Sequence, residues 1–336
     1  MPLKELIDNP HSERVKRIAA LTRGSGKVNE LHKFLVEGPQ SVREAVRYAA
    51  DSICDIYVAE NVVNDYKSFT NNHYSDSNEN SSTDPIRVIV EESLEKECYV
   101  HPVSLEVIRK ISSDSQGIAA VLNSKSLDDF YTSSFYSLQN SLVKKSLVEN
   151  PLGENSLVKK SLDENPLGEN HIKPLRIAAC WQVRDPGNAG AIIRVADVAG
   201  CDAVVFVDDC VSRWNSKLIR STAGSLFHLP VVSMSENEWF DWAKKVGIKI
   251  IAADIYGTDE RKPKDFPIIL DDNNIMESSL AVLFGNEARG LPASVLNKVD
   301  EISVIPIYGK AESMNLATSA AVMLMGLAMS SHARKM

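Results

Sequence analysis

Short apolar runs alternate with amphipathic segments through the second half of the chain. Continuously apolar runs such as residues 175–183 (LRIAACWQV) predict buried strands, and apolar residues at helical spacing between such runs predict helices. Strands separated by helices in this way are typical of a mostly parallel sheet covered on both faces, so this half is predicted to be an α/β domain. The predicted strands are 175–183, 202–209, 229–234, 249–255, 279–287 and 301–307, and the predicted helices are 189–199, 215–224, 236–247, 294–300 and 314–331.

A smaller α/β pattern comes first along the chain. In residues 40–50 (QSVREAVRYAA), for example, Val42, Ala45, Val46 and Ala49 recur at helical spacing. The first part of the chain is therefore predicted to be a small α/β domain of its own. Its predicted helices are 11–22, 40–50 and 104–112, and its predicted strands are 33–38, 53–59 and 117–122.

Two polar segments interrupt these patterns. Residues 61–85 are rich in Asn and Ser and predict a long loop or insertion. In residues 123–173, SLVKKSLVENPLGEN (141–155) is followed by SLVKKSLDENPLGEN (156–170). Two fifteen-residue copies are too few for a stacked repeat fold, so we interpret the segment as a low-complexity linker. The predicted domains are then 1–122 and 174–336, joined by 123–173.

Composition and charge narrow the class of protein. The chain has 336 residues, 44% of them apolar, and a net charge of −8, which suits a folded protein of about two domains. Residues 11–47 nevertheless carry eight Lys or Arg against four Glu, so a local basic face or an ordinary solvated helix face is expected there.

The cysteines and the apolar stretches bear on location. Five widely spaced cysteines without a CxxC pair indicate neither a disulfide framework nor a zinc site. The N-terminus lacks the apolar core of a signal peptide, and the apolar stretch 316–331 is expected to be too short and interrupted to span a bilayer. We expect a cytoplasmic protein without a metal site or a membrane partner.

The stretch VRDPGNAGAIIRVADVAGCDAVVFVDD (183–209) raises the first chemical question. A glycine turn between a strand and a helix, with Asp208 about 20 residues on, suggests a dinucleotide fold. The glycines Gly187 and Gly190 fail the GxGxxG pattern, however, at the position where backbone must approach a pyrophosphate. A nicotinamide-dependent oxidoreductase remains as an alternative.

Polar residues near this turn offer a different site. Asn188 stands in the predicted turn, and Arg194 follows six residues later between Ile193 and Val195. A permanent charge in an apolar neighbourhood needs a carboxylate, a phosphate or an open site, so Arg194 is a candidate functional residue. A structural salt bridge is the alternative.

Two further strand ends carry polar loops. LFGNEARGLP (283–292) supplies Gly285, Asn286, Glu287 and Gly290 after an apolar strand. The segment 305–325 turns through a glycine and places Glu312, Ser313 and Asn315 before a long helix. Ser and Asn there could simply cap the helix. Loops at the carboxyl ends of parallel strands are also where ligands bind in such sheets.

Taken together, the three segments resemble a known family. NxGxxxR after a strand, then FGNExxGL, then IPI followed by ESMNLATSAA are similar to the three motifs of the SpoU (TrmH) branch of the SPOUT RNA ribose 2′-O-methyltransferases. The N-terminal segments FLVEGPQSVREAV (34–46) and VSLEVIRKISSDSQGIAAVL (103–122) resemble the small ribosomal-protein-like RNA-binding domain that often precedes it, although Ser115 replaces the usual proline.

The resemblance implies a fold and a cofactor. It implies a parallel sheet with a deep trefoil knot, S-adenosylmethionine bound among the knotted loops, and a homodimer whose partner subunit completes the site. Gly285, Ile305 and Met314 would line the adenosyl pocket, with Leu283, Phe284 and Leu316 as apolar walls.

It also implies roles for polar residues. Arg194 would act as an electrostatic clamp on the target phosphate or developing alkoxide, because a guanidinium is almost never neutral near pH 7. Glu287 would orient it, while Asn188 and Asn315 would position nucleotide or cofactor, and Ser313 completes the candidate catalytic set. The substrate is expected to be a structured RNA with an exposed nucleotide, 23S ribosomal RNA ahead of transfer RNA. A non-catalytic RNA-binding homologue is the other alternative.

Overall fold

The computed structural model describes residues 3–23, 28, 30–62, 84–149 and 174–334. Most of the polar insertion and the second half of the predicted linker, with most of the tandem repeat, lie outside the described residues. The chain forms two compact units. Unit 1 comprises Met1–Tyr131, Val183–Asp197 and Cys210–Val231, and unit 2 comprises Thr132–Gln182, Val198–Asp209 and Val232–Met336. The first boundary between units lies within the predicted linker, and the predicted domain bounds stay a prediction.

Unit 1 contains a four-stranded sheet in the order β1-β4-β2-β3. Strand β4 pairs antiparallel with β1 and β2, and β3 pairs parallel with β2. The sheet is mixed because β1, β2 and β3 run in one direction, whereas β4 lies between β1 and β2 and runs in the opposite direction. Its strands are β1 (Lys33–Glu37), β2 (Ile53–Ala59), β3 (Val100–Val103) and β4 (Ile118–Asn123).

Within the part of the chain that the structure describes, helices accompany this sheet, and serine caps mark the starts of two of them. The Ser12 and Ser104 side chains accept hydrogen bonds from Val15 N and Val107 N, so each serine caps the helix that follows it. The helices are α1 (Glu13–Ala20), α2 (Pro39–Tyr48), α3 (Pro85–Glu95) and α4 (Leu105–Ile111). Helix α3 and strand β3 are absent from the sequence-based prediction.

The first half of the predicted linker is a helix. Helix α5 runs over Ser124–Glu149. Leu127, Tyr131 and Phe135 recur at intervals of four residues and are fully buried, which gives this part of the helix one apolar face. The sequence analysis did not predict this helix, because the polar composition of the segment hides the spacing of its apolar residues; the linker over 123–173 stays a prediction.

Two helices of the second half of the chain fall mainly within unit 1. They are α6 (Pro186–Val198) and α7 (Ser216–Ser221). Helix α6 begins three residues before its predicted start, because Asp185 Oδ1 accepts a hydrogen bond from Asn188 N at 2.8 Å and Pro186 suits a first helical position. The two helices pack tightly, since a Cβ on Gly190 would lie only 2.6 Å from Leu218 O.

An ion-pair cluster joins α7 to the four-stranded sheet within unit 1. Arg220 Nη1 lies 3.1 Å from Glu37 Oε2 and 2.8 Å from Asp114 Oδ2. Ser112 Oγ also donates to Glu37 Oε2. The Glu37 side chain is almost completely buried, so this carboxylate depends on Arg220 and Ser112 for compensation.

Unit 2 contains a seven-stranded sheet in the order β7-β6-β5-β10-β8-β11-β9. Strand β10 lies between β5 and β8 and pairs parallel with both, and β8 pairs parallel with β11. The predicted parallel α/β sheet is confirmed. The strands are β5 (Arg176–Trp181), β6 (Ala203–Val207), β7 (Val231–Met234), β8 (Lys249–Ala253), β9 (Lys264–Asp265), β10 (Leu280–Phe284) and β11 (Glu301–Val304).

The helices of unit 2 include one with a full capping box. Ser235 Oγ accepts from Glu238 N, the Glu238 carboxylate accepts from Ser235 N, and Gly247 ends the helix in the left-handed conformation. The helices are α8 (Glu236–Val246), α9 (Phe266–Asp271), α10 (Asn273–Met276), α11 (Ala293–Leu296) and α12 (Leu316–Ala333). Strand β9 and helices α9 and α10 are absent from the sequence-based prediction.

Helix α12 has the predicted length but begins and ends two residues later than predicted. Among the described residues it is the one helix that could cross a membrane by length and composition alone, which contradicts the expectation that this stretch is too short. The same test is passed by core helices of soluble proteins. Four of its side chains, Ala320, Met323, Leu324 and Leu327, are buried within the protein.

Candidate active site

The loop after β10 is fixed by one asparagine. Asn286 Nδ2 donates to Gln182 O at 2.7 Å, which ties this loop to the end of β5. Its Oδ1 accepts from Ala288 N at 3.1 Å and Arg289 N at 3.2 Å. All polar atoms of this buried amide are therefore used to shape the loop, and the sequence-based reasoning did not single it out for this role.

Gly285 and Gly290 close the same loop on itself. Asn286 N donates to Gly290 O at 3.2 Å, and Gly290 N donates to Asn286 O at 2.8 Å. A Cβ on Gly285 would lie 2.6 Å from Gly290 C, so no other residue fits there without moving backbone. Glu287 is exposed at the tip of this loop. The fold thus presents a carboxylate at the carboxyl end of a central strand.

The loop after β11 ends in a helix cap. Asn315 Oδ1 accepts from Ala317 N at 2.9 Å and from Thr318 N at 3.3 Å, so Asn315 caps α12. Ser313 and Glu312 are exposed just before it. The Oδ1 atom of Asn315 is therefore a helix cap, as the sequence analysis considered. A contact between the Asn315 side chain and a ligand would involve its Nδ2.

The apolar residues expected around a cofactor differ in burial. Leu283 and Phe284 are completely buried strand residues, so only their backbone could face a ligand. Ile305, Met314 and Leu316 are half-buried and keep apolar surface in the second loop. Half-buried apolar side chains at the same sheet edge as a closely packed glycine loop suit a nucleoside with an aliphatic arm. The residues present therefore fit S-adenosylmethionine.

Unit 1 supplies Asn188 and Arg194, both on α6. Asn188 lies in the first turn of this helix, and Arg194 is exposed. The expectation that Arg194 lies in an apolar neighbourhood is wrong, because successive helical residues point about 100° apart and Ile192 and Ile193 occupy the buried face. Among the described residues Arg194 forms no ion pair, so the alternative of a structural salt bridge is not supported.

The residue that suggested a dinucleotide fold has a structural role. Asp208 Oδ1 accepts from Glu236 N at 2.8 Å, at the start of α8, and Asp208 itself has a φ of +58°. One oxygen of the Asp208 carboxylate is therefore used to cap a helix of the protein itself. The geometry therefore disfavours the oxidoreductase alternative.

The basic segment 11–47 is less open than its charge suggests. Arg14 pairs with Asp55, Lys16 with Glu13, Arg43 with Glu44 and Arg47 with Glu92. Half of its eight cations thus have acidic partners within unit 1. A contribution to RNA binding would come through partly neutralised side chains.

Comparison with known proteins bears on the second half of the chain. The SpoU rRNA Methylase family matches residues 176–325, which contain all three motifs. The 23S rRNA (guanosine(2553)-2′-O)-methyltransferase RlmP of Bacillus subtilis is 39% identical over 142 residues, 42% of this chain and 53% of that protein. The 23S rRNA (uridine(2479)-2′-O)-methyltransferase of Streptomyces viridochromogenes is 34% identical over 143 residues, 41% of this chain and 47% of that protein. The chain spans about half the length of these curated relatives.

A solved structure is similar over nearly the whole length. The crystal structure of the AdoMet-bound rRNA methyltransferase from Sinorhizobium meliloti covers 97% of this chain and 98% of its own, with a TM-score of 0.65 and 21% identity. At this identity the likeness establishes the fold and no more. It extends to the N-terminal half, which the family match leaves out.

Proposed function

Because residues 176–325 belong to the SpoU rRNA methylase family, we propose that the protein transfers a methyl group from S-adenosylmethionine to a ribose 2′-hydroxyl of a structured RNA. The observation that carries the proposal is the placement of two motif loops in unit 2. The Gly285–Gly290 loop follows β10 and the loop before α12 follows β11, at the carboxyl ends of strands that both pair with β8. This is the edge at which parallel sheets bind their ligands.

Some of the candidate residues would hold the methyl donor, and others would orient the RNA. When bound, S-adenosylmethionine supplies an electrophilic methyl group on a sulfonium. Ile305, Met314 and Leu316 offer apolar surface to the adenosyl part, and the closed Gly285 loop offers backbone groups. Alignment of the hydroxyl oxygen with the methyl carbon can itself supply roughly 7–11 kcal/mol of the barrier.

Arg194 would stabilise the negative charge that develops on the ribose oxygen, and it would not accept the proton. Its use as a base near pH 7 would require a neutral guanidinium, and a guanidinium is almost never neutral in proteins. As a cation it would bind the target phosphate or the developing alkoxide. Asn188, Ser313 and Asn315 position the nucleotide and the donor. The trefoil knot belongs to this proposal, since a threaded loop would hold these groups together.

Ribosomal RNA is proposed ahead of transfer RNA. The curated relatives named above act on 23S ribosomal RNA according to their names. The mixed α/β sheet of unit 1 adds a surface with cations such as Arg109 and Lys110 for a large structured target. Affinity should fall with added salt if phosphates are bound. Transfer RNA as substrate and a non-catalytic RNA-binding homologue are the alternatives.

A homodimer and a cytoplasmic location complete the proposal. Val322 and Met329 are exposed on α12, although most of this helix is apolar. Apolar helix surface of this kind is suited to a partner, and a second copy of the chain is the partner we propose. The mass of the protein in solution, measured by light scattering, tests this.

The decisive experiment is methyl transfer itself. The protein is incubated with labelled S-adenosylmethionine and total RNA that lacks its modification, and the labelled ribose is mapped. We expect label on one ribose of 23S ribosomal RNA, at least tenfold less in Arg194→Lys, and wild-type rates in the control Arg87→Lys, whose side chain pairs with Glu91 within helix α3. Label on transfer RNA would favour the first alternative. RNA binding without any transfer would favour the second.

A further inference from the structure

Two tyrosines stand out on the surface of unit 2. Tyr256 is 73% exposed and Tyr308 is 94% exposed, the two highest values among the large apolar side chains described. Neighbouring Ile255 and Ile307 are also exposed. Exposed apolar side chains that cluster in this way commonly mark a binding surface.

Sheet topology brings the two tyrosines to the same edge. In the β8–β11 pair, Ser303 lies opposite Ala253. Tyr256 follows Ala253 by three residues and Tyr308 follows Ser303 by five, so both lie beyond the carboxyl ends of adjacent parallel strands. The proposed cofactor loop after β10 starts from the other side of β8.

Tyr256 is held out by a built turn. Asp254 Oδ1 accepts from Tyr256 N at 2.9 Å and Gly257 N at 2.7 Å. Gly257 has a φ of +68°, and a Cβ on it would lie 2.2 Å from Arg261 O. The Arg261 guanidinium in turn donates to Leu296 O at 2.7 Å. The ring is therefore presented by a fixed loop, which lowers the entropy lost when a partner binds.

The space beside Tyr256 would accommodate a planar group. A cavity of about 580 Å³ lies there, lined among others by Thr258, Lys262 and Asn297. Asp259 and Glu260 also line this cavity and offset the charge of Lys262, so bulk attraction of phosphate is weak at this place. Stacking on an aromatic face does not need net positive charge and tolerates any base.

We propose that Tyr256 and Tyr308 stack on nucleobases of the RNA that flank the ribose to be methylated. This inference rests on the proposed function, because a ribose is reached most easily where its nucleotide and neighbours are unstacked. Unstacked bases lose their contacts with neighbouring bases, and the two exposed tyrosine rings would provide new stacking contacts. A second copy of the chain is the competing occupant of this surface.

Four variants test the proposal on the full-length protein: Tyr256→Ala, Tyr308→Ala, Tyr256→Phe and Tyr308→Phe. The substrate is an unmodified 23S ribosomal RNA transcript, and the matched control is Tyr136→Ala, an exposed tyrosine on α5. Each Ala variant should raise KM for RNA about 5- to 150-fold, as expected from about 1–3 kcal/mol per stacked base. The Phe variants and the control should stay within about threefold, with kcat and affinity for S-adenosylmethionine unchanged.

A direct readout separates stacking from turnover. A single-stranded RNA that contains 2-aminopurine should lose fluorescence on binding to the wild-type protein and lose less with each Ala variant. Wild-type KM and quenching in both Ala variants would overturn the inference. A change of molecular mass in the Ala variants would overturn it too, since it would assign the surface to a second copy. A wild-type protein that quenches the probe but transfers no methyl group to any RNA would refute the proposed function instead.

Discussion

Gly285→Ala tests whether loop closure controls binding of the methyl donor. The added Cβ would lie 2.6 Å from Gly290 C, 2.8 Å from Gly290 O and 2.9 Å from Leu291 Cγ. Two of these atoms are backbone and cannot rotate away. The loop must therefore open, and the two backbone hydrogen bonds between Asn286 and Gly290 are the first contacts to break.

The expected magnitude follows from those contacts. Overpacking of a filled site costs about 1–3 kcal/mol. Loss of one of these two hydrogen bonds adds about 1 kcal/mol. The closed loop should therefore be disfavoured by about 2–4 kcal/mol. If only the closed loop binds the donor, its Kd rises by the same factor, about 30- to 1,000-fold.

Isothermal titration with S-adenosylmethionine measures this change. Gly309→Ala is the matched control, because it adds the same methyl group to the other motif loop, where nothing lies within 4 Å. Its Kd should stay within about threefold of the wild type, and circular dichroism should show both variants folded. A Gly285→Ala protein that binds the donor as tightly as Gly309→Ala would refute the link between loop closure and binding.

Three further predictions concern unit 1. Burial raises the pKa of Tyr57 to about 12, so the stability contributed by its neutral form is complete below pH 10 and is lost as the pH rises from 10 to 12. Tyr57→Phe should flatten this part of the pH dependence in urea unfolding, and an unchanged slope would contradict the assignment. Arg220→Met should lower the free energy of unfolding by about 2–4 kcal/mol, because it leaves the buried Glu37 carboxylate without its cationic partner. The double variant with Glu37→Gln should recover most of this loss. If it does not, the charge of Glu37 is not the cause. Gly190→Ala should lower the free energy of unfolding by about 1–3 kcal/mol in thermal denaturation, since its Cβ would lie 2.6 Å from Leu218 O. An unchanged melting temperature would mean that α6 and α7 can move apart without loss of stability.

The central strands were predictable because a short, continuously apolar run between turn residues is typical of a buried strand. Strands Arg176–Trp181 and Leu280–Phe284 lie within the predicted runs 175–183 and 279–287. Helix Pro85–Glu95 escaped prediction beside a polar segment, although the Asp84 side chain and Pro85 give a regular helix start.

The sequence was enough to predict which loops carry the candidate site residues, but not the burial and contacts of each side chain. Strand ends and glycines indicate where chain can turn, and the structure places both motif loops of unit 2 at that edge. The exposure of Arg194 was mistaken because neighbours in sequence do not share a helix face. The structural role of Asn286 depends on the carbonyl of Gln182, 104 residues away, and no local pattern carries such a contact.

The place of β10 has a consequence for synthesis of the protein. This strand is inserted between β5 and β8, although it follows both in the chain. Until residue 284 has emerged from the ribosome, β5 and β8 each lack the neighbour that covers one side, and their amides and carbonyls remain open to unwanted strand pairing. This exposure lasts from the synthesis of β8 until β10 is complete.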